Sequence, residues 1–191
     1  YLYGKHERVI SHFDENPCLA AHSLKPEELN NVVMIQCVGS RTEERLYCSK
    51  VCCGQAVKNA LKIKEINLAS NIYVLYKDVR TYGFKEEFYQ KARNQGVIFL
   101  RYTDESKPEV TSDNNGIKVK TFDPVLGEDL LIKPDLLVLS AGIIPNEDNE
   151  ALAKMLKVPL NEDGFFLEAH VKLRPVDFAT DGIFVCGLAH S

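Results

Sequence analysis

The sequence predicts an α/β fold in which a parallel sheet carries a three-stranded antiparallel insert. Short apolar runs rich in β-branched residues alternate with stretches of helical periodicity over residues 32–100, the pattern of strand–helix–strand units in a parallel sheet. A hairpin signal follows at Asn115-Gly116, and the apolar run 136–139 then resumes the parallel sheet. A chain of 191 residues is long enough for one such domain and an additional segment.

The first predicted strand, 32–36, leads into a predicted helix that follows Cys53. Apolar residues fall on one side of that helix, while Lys58, Lys62 and Lys64 fall largely on the opposite side and are expected in solvent. Residues 1–31 look irregular, except for a short strand or connector at Val9-Ile10. The remaining predictions are strands at 72–76, 97–100, 109–112, 117–122, 130–132, 136–139 and 182–187, and helices at 84–92 and 150–156.

Composition and charge exclude several classes of function. The net charge of −4 indicates no polyanionic partner, so nucleic-acid binding is not expected. The longest apolar runs have the length of strands, and no membrane span is predicted. Six clustered cysteines indicate a reducing compartment, which we expect to be the cytoplasm. The start at Tyr1, without a signal peptide, leads us to expect a part of a longer or processed chain.

Four cysteines mark the point where the first strand ends and the following helix begins: Cys37, Cys48, Cys52 and Cys53. Unpaired N–H groups and the helix dipole favour negative charge at a helix N-terminus, so thiolates or an anionic cluster suit this place. The spacing C-x10-C-x3-C-C is neither a ferredoxin run nor a zinc C-x2-C pair. These residues alone leave four interpretations open: a metal or iron–sulfur site, core cysteines, a redox dithiol, or a four-cysteine zinc site.

Other residues with possible chemistry have simpler interpretations. Cys18 is expected to be a buried or incidental thiol, and Cys186 is expected to stay apart from the motif. His6 and His22 lack metal-ligand spacing and are expected at the surface. Asp78 and its near neighbour Arg80 follow the second strand, where we expect a turn, with Arg80 paired either with Asp78 or with a neighbouring domain.

Two segments resemble the thioredoxin-reductase-like flavoproteins. Residues 142–146 (Gly-Ile-Ile-Pro-Asn) resemble the link back to the flavin domain in that family, and residues 180–187 resemble its flavin segment. The resemblance implies a Rossmann-like sheet with an antiparallel insert, as in the pyridine-nucleotide domain of those proteins. It also implies that Gly142, Pro145 and Gly187 lie on the FAD side. Leu188 stands where the family usually has an aspartate.

The cysteine motif and its surroundings resemble the A subunit of heterodisulfide reductase. The resemblance rests on residues 35–41 (Ile-Gln-Cys-Val-Gly-Ser-Arg), 47–53 (Tyr-Cys-Ser-Lys-Val-Cys-Cys), 78–83 and 87–89, and extends over nearly the whole chain. It implies an iron–sulfur flavoprotein of methanogenesis or a related anaerobic pathway. The ligands of a [4Fe–4S] cluster would be Cys37, Cys48, Cys52 and Cys53, with FAD bound in the full-length protein.

The resemblance also implies a domain organisation and a set of partners. Residues 1–31 would be a connector from a missing flavin half, 32–140 the Rossmann-like domain with the motif, and 141–191 a return segment towards the flavin domain. The chain would be the electron-transfer module of an oxidoreductase, carrying electrons between flavin and partner subunits of a complex that includes a hydrogenase or another donor. We expect the isolated chain to be inactive.

Two other functions remain open on the sequence alone. One is a thiol–disulfide redox domain in which Cys52 or Cys53 attacks as the thiolate. The other is a nucleotide-binding dehydrogenase domain. The single glycine at the strand-to-helix turn, Gly39, argues against the dehydrogenase, because a pyrophosphate loop needs several.

Overall fold

The computed structural model describes residues 1–20 and 24–190. They form two compact units. The first consists of Tyr1–Gly39 and Lys50–Ala141, and the second of Ser40–Ser49 and Gly142–Ser191.

The described residues of the first unit form eight strands and three helices. The helices are α1 (His12–Ala20), α2 (Cys52–Ile66) and α3 (Lys85–Asn94), with a 3₁₀ turn at Pro26–Leu29. The strands are β1 (Val9–Ser11), β2 (Asn31–Val38), β3 (Asn71–Tyr76), β4 (Ile98–Arg101), β5 (Glu109–Asp113), β6 (Gly116–Asp123), β7 (Glu128–Ile132) and β8 (Leu136–Ala141).

Five of these strands form a parallel sheet and three form a separate antiparallel sheet. The parallel sheet has the order β1-β8-β2-β3-β4, and the antiparallel sheet has the order β5-β6-β7. The chain runs outwards from β2 through β3 to β4, passes through β5–β7, and returns as β8 on the other side of β2. This architecture confirms the predicted α/β fold with a parallel sheet and a three-stranded antiparallel insert.

The alternation of side chains along β2 explains how the parallel sheet is buried on both faces. Val32 and Met34 pack with the apolar side of α2, in a cluster that includes Ala60 and Ile63. Val33 and Ile35 point the other way and pack in a second cluster with residues of the antiparallel sheet. The first unit therefore has helices on one face of the central sheet and the insert on the other.

The sequence pattern placed Lys64 with the solvent-facing lysines of α2, and this was wrong. Lys64 is buried, and its Nζ donates to the Ser70 carbonyl at 2.7 Å and to the Leu68 carbonyl at 3.3 Å. These carbonyls belong to the turn that follows α2, so the long side chain caps the connection to β3. A lysine near a helix C-terminus interacts favourably with the carbonyl groups there.

Two other expectations of secondary structure differ from the structure. Residues 12–20 form α1, whereas the sequence pattern predicts irregular chain there. Val9-Ile10 belongs to β1, in agreement with the first of the two alternatives, a short strand or a connector. Residues 182–187 form no strand, and Phe184 makes only an isolated bridge with Asp177. The apolar side chains of Ile183 and Val185 instead pack in the small apolar core of the second unit. His22 lies outside the described residues, and His6 is partly exposed.

The second unit has one helix, α4 (Asn149–Leu156), among its described residues, followed by turns and isolated bridges and by a 3₁₀ turn at Gly187–Ala189. Its core is an apolar cluster of Ala153, Val158, Phe166, Phe178 and Val185. No helix in the described parts of either unit is long and apolar enough to cross a membrane.

Candidate cysteine site at the edge of the parallel sheet

Three of the four motif cysteines belong to the first unit. Cys37 is the penultimate residue of β2, and Cys52 and Cys53 are the first two residues of α2. Cys48 lies in the segment Ser40–Ser49, which groups with the second unit. The proposed four-cysteine ligand set therefore stays a prediction. Cys186 lies immediately before the 3₁₀ turn at Gly187–Ala189 and is exposed.

The two thiols of α2 lie at the carboxyl-terminal edge of the parallel sheet. Cys52 Sγ is 4.0 Å from the carbonyl oxygen of Ala141, the last residue of β8. Cys53 Sγ is 3.6 Å from the carbonyl oxygen of Asp78, just beyond the end of β3. Strand β2, which carries Cys37, runs between β8 and β3. The three motif cysteines of this unit are therefore all at one edge of the sheet.

This edge is the place where an open α/β sheet usually binds ligands. The order of the strands reverses direction at β2, because β3 follows on one side and β8 returns on the other. Ligands in such sheets bind outside the carboxyl ends of the strands at this switch point. In dinucleotide-binding domains a glycine-rich loop occupies the turn, whereas this chain places thiols there.

The first turn of α2 favours a negatively charged group. Its N-cap residue is Val51, whose side chain has no polar atom to accept the first backbone N–H groups, and its first turn contains no acidic residue. The positive end of the helix dipole and these N–H groups stabilise an anion. Cys52 is only 8% exposed, so an anion held by this thiol would be shielded from water on one side.

The backbone around the motif has several unusual conformations. Cys37, Arg41 and Lys50 have φ angles of +59°, +55° and +59°, in the left-handed region that non-glycine residues rarely adopt. The pairing of β2 with β8 also shifts register between Ile35 and Val38. Such conformations persist only where the surrounding structure fixes them, and they are concentrated at functional sites.

The turn after β3 contains the predicted pair. Arg80 lies 3.9 Å from the Asp78 carboxylate, which confirms the expected pairing, and Arg101 lies 3.8 Å from the same carboxylate. Both contacts are at the surface, where ion pairs contribute little to stability. Their role is local: they hold the turn whose carbonyl faces Cys53.

A buried carboxylic acid near this edge was missed by the sequence patterns. Glu15 of α1 is completely buried, and burial raises its pKa to about 7 although Asn59 Nδ2 donates to Glu15 Oε2 at 2.7 Å. His12, one turn earlier, has its Nδ1 atom 3.3 Å from the Leu139 carbonyl, and burial lowers its pKa. The available signal was Asn59, a polar residue among the apolar residues Val57, Ala60 and Ile63 of α2.

A buried amide was also missed. Gln36 of β2 is 1% exposed, and neither Oε1 nor Nε2 has a hydrogen-bond partner among the described residues. A buried amide beside Cys37 suits a site that holds a polar group, because sulfur atoms of an iron–sulfur cluster accept N–H hydrogen bonds. Thiolates and amide N–H groups are the chemistry that an iron–sulfur cluster needs, but the described part of the chain does not show the motif cysteines grouped around one point. Within residues 1–20 and 24–190, no three His, Cys, Asp or Glu side chains are grouped so as to hold a metal ion.

The three residues expected on the FAD side lie in the second unit. Pro145 packs against Gly164, where an added Cβ would come within 3.2 Å of the proline Cγ. Gly187 is exposed and has a φ angle of +63°. The segment that begins at Gly142 is fixed by a hydrogen bond, in which the backbone N–H of Ile143 donates to Ser49 Oγ at 2.9 Å.

A solved structure has a similar fold. The T. acidophilum thioredoxin reductase superposes with a TM-score of 0.57 over 97% of this chain and 50% of its own, at 16% sequence identity. The likeness confirms the expected thioredoxin-reductase-like architecture. No family model matches the chain.

Curated relatives define the family. The iron-sulfur A subunit of the CoB–CoM heterodisulfide reductase of Methanocaldococcus jannaschii is 41% identical over 99% of this chain and 31% of its own length. The A subunit of the H(2)/formate:CoB-CoM heterodisulfide,ferredoxin reductase of Methanococcus maripaludis is 39% identical over 99% of this chain and 30% of its own length. The chain belongs to the family of heterodisulfide reductase A subunits and spans about a third of the length of these relatives. It is therefore related to the subunits of redox enzymes.

Proposed function

We propose that this chain is the electron-transfer module of an iron–sulfur flavoprotein like the heterodisulfide reductase A subunits. Cys37, Cys48, Cys52 and Cys53 would ligate one [4Fe–4S] cluster. The observation that carries the proposal is the placement of Cys52 and Cys53 in the first turn of α2, against the carbonyl groups that end β8 and follow β3. The word "iron-sulfur" in the name of the M. jannaschii relative supports it.

The residues of this edge have distinct tasks in the proposal. A bound cluster supplies reversible one-electron transfer. The four thiolates bind it, and adjacent Cys52 and Cys53 would each bind a different iron. The backbone N–H groups of the first turn of α2 would donate hydrogen bonds to the anionic cluster. The apolar packing of α2 on β2 keeps water from that side.

The second unit would contribute to a flavin site. We place Gly142, Pro145 and Gly187 on the FAD side because they belong to the two segments that resemble those of thioredoxin-reductase-like flavoproteins. Gly164 has no side chain, which lets Pro145 pack closely against it. A pyrophosphate loop of the form G-x-G-x-x-G does not occur in the sequence, so the FAD phosphates would be bound by residues outside it.

The partners would be other subunits of a heterodisulfide reductase-like complex. The names of the relatives include hydrogen, formate and ferredoxin as reactants, which supports a hydrogenase or another enzyme as the electron donor. Cluster thiolates require a reducing compartment, so we place the protein in the cytoplasm. Electrons would pass between the flavin and these subunits by way of the cluster.

Anaerobic reconstitution tests the proposal. We expect about four iron and four sulfide per chain and a brown colour, which is the content and appearance of one [4Fe–4S] cluster. A thiol–disulfide enzyme would instead reduce a small disulfide with no iron bound. A dehydrogenase domain would bind NAD or NADP in an equilibrium dialysis experiment. Iron-free protein with either of these activities would refute the electron-transfer proposal.

A further inference from the structure

An elongated groove runs along the helical face of the first unit. Its floor is formed by residues of α2 that recur every three or four positions from Val51 to Glu65, which is one side of the helix over about 20 Å. The remaining lining residues come from α1 and α3, and α2 packs against both of these helices. The groove has a volume of about 710 Å³, and all of its lining belongs to the first unit.

The groove exposes apolar side chains to solvent. Val51 is 37% exposed and Phe88 is 54% exposed. Leu19, Val57 and Leu61 also line the groove and are buried. Contiguous apolar surface of this kind, bordered by polar residues, marks binding sites on folded proteins.

The amide groups in the groove are already hydrogen-bonded to one another. Gln55 Nε2 donates to Asn16 Oδ1, and also to Asn59 Oδ1 at 2.8 Å. Asn59 Nδ2 in turn donates to the buried carboxyl group of Glu15. A site for a small molecule usually has a few polar groups that converge on the ligand and fix its orientation. Here the amides bind each other, so the groove offers an occupant mainly apolar surface and charge.

The charge of the groove is opposite to that of the whole chain. Its ionisable lining residues are four lysines and one glutamate: Lys58, Lys62, Lys85, Lys91 and Glu65. Lys62 pairs with Glu65 at 3.0 Å, whereas Lys58, Lys85 and Lys91 are exposed. Because the chain as a whole has a net charge of −4, the groove concentrates positive charge beside exposed apolar side chains.

We propose that this groove binds an amphipathic helix of a partner protein, with Asp and Glu on both sides of its apolar face. A helix of about 14 residues matches the length of the floor. Its apolar face would contact Val51 and Phe88, in the manner of other helices that bind in grooves. Its carboxylates would meet the lysines. The apolar lining favours such a helix over a nucleic acid, whose affinity comes mainly from phosphate contacts. The binding needs no cluster and is separate from the electron-transfer proposal.

A synthetic peptide tests this interaction with the whole chain in its iron-free form. The probe is a fluorescein-labelled helical peptide of about 14 residues, with Leu at every third or fourth position and Glu on both sides of the Leu face. One control peptide has the same composition in a scrambled order without an apolar face. A second control has Lys in place of Glu. Binding is followed by fluorescence anisotropy at low salt, where surface charges are screened least.

We expect one acidic amphipathic peptide per chain, and binding of both control peptides that is at least about tenfold weaker. Lys58→Glu and Phe88→Ala should each weaken binding of the acidic peptide about tenfold, because one reverses a charge and the other removes apolar contact. Lys58→Glu should also bind the lysine peptide better than the wild type does. The matched controls, Lys133→Glu and Phe122→Ala, change exposed residues outside the groove and should have no effect.

Circular dichroism establishes that each variant is folded. Equal binding of the scrambled peptide, or no binding of the amphipathic peptide to the wild type, would overturn the proposed docking. Tighter binding of a single-stranded DNA oligonucleotide than of the peptide would overturn it in favour of a site for polyanions. Dimerisation of the wild type that Phe88→Ala abolishes would overturn it in favour of a second copy of this chain.

Discussion

Replacing Glu15 by glutamine should stabilise the chain at neutral and alkaline pH but not in acid. Glu15 is completely buried, and burial raises its pKa from 4.5 to about 7. The unfolded chain ionises this group near the ordinary value of 4.5, so between pH 4.5 and 7 the folded state binds the extra proton. Protonated Glu15 therefore makes its full contribution to the free energy of unfolding below about pH 4.5, and this contribution is lost as the pH rises to about 7.

The magnitude follows from the difference between the two pKa values. One pKa unit corresponds to about 1.4 kcal/mol, so ionised Glu15 destabilises the fold by roughly 3 kcal/mol above about pH 7. The neutral amide of Gln keeps an oxygen that can accept from Asn59 Nδ2. Glu15→Gln should therefore raise the free energy of unfolding by about 3 kcal/mol at about pH 8 and change it little at about pH 4.5.

Urea unfolding of both proteins at the two pH values measures this difference. Glu27→Gln is the matched control, because Glu27 is exposed and its substitution should leave the pH dependence as in the wild type. An equal effect of Glu15→Gln in acid and at alkaline pH would show that Glu15 is not the source of the pH dependence.

Three further outcomes are expected. Gly164→Ala should be destabilising by about 1–3 kcal/mol more than Gly182→Ala: both have positive φ angles, but only at Gly164 would the new Cβ meet Pro145 at 3.2 Å. Equal thermal melts of the two variants would contradict the packing argument. Ile63→Ala, at a fully buried site of α2, should lower the free energy of unfolding by about 2–5 kcal/mol. Leu68→Ala, at a 75% exposed site, should lower it by about 0.5 kcal/mol or less. Similar losses of the two variants in urea unfolding would be inconsistent with a core centred on α2. The chain by itself should elute from gel filtration without stoichiometric FAD, because its sequence has no glycine-rich pyrophosphate loop; co-elution of one FAD per chain, measured by absorbance, would disprove this.

The elements with local patterns were predictable from the sequence. The β-branched run 32–36 became β2, the Phe84, Phe88 and Ala92 spacing became α3, and the hairpin signal at Asn115-Gly116 became the insert. The run 32–36 is apolar throughout because the parallel sheet is buried on both faces. The helix prediction was right although only Ala92 of the three spaced residues is buried, whereas Phe84 and Phe88 are exposed.

The wrong predictions concern residues whose environment is set by contacts beyond the local sequence pattern. The apolar residues of 182–187 resemble a strand, but Val185 packs in the small core of the second unit and the segment makes only an isolated bridge within the described residues. Lys64 has the spacing of a solvent-facing residue, yet its Nζ donates to the carbonyl groups of Leu68 and Ser70 in the interior. Neither contact can be read from periodicity.

The candidate site was predictable in part. The cysteine spacing and its strand-to-helix position are enough to predict Cys52 and Cys53 at the edge of the sheet. Gln36 could not be recognised, because glutamine in a strand carries no signal until its burial and its lack of partners among the described residues are known. The same holds for Glu15, whose burial depends on the packing of α1 against α2.

Iron content in a set of single Cys→Ser variants tests the proposed cluster most directly. Each variant is reconstituted anaerobically, with circular dichroism to establish that it is folded. We expect a sharp loss from about four iron per chain in each variant of the motif, and unchanged iron where the cysteine lies outside it. The motif variants are at Cys37, Cys48, Cys52 and Cys53, and the controls are at Cys18 and Cys186. Undiminished iron in a folded motif variant would remove that cysteine from the ligand set, and undiminished iron in all four would contradict the proposed cluster.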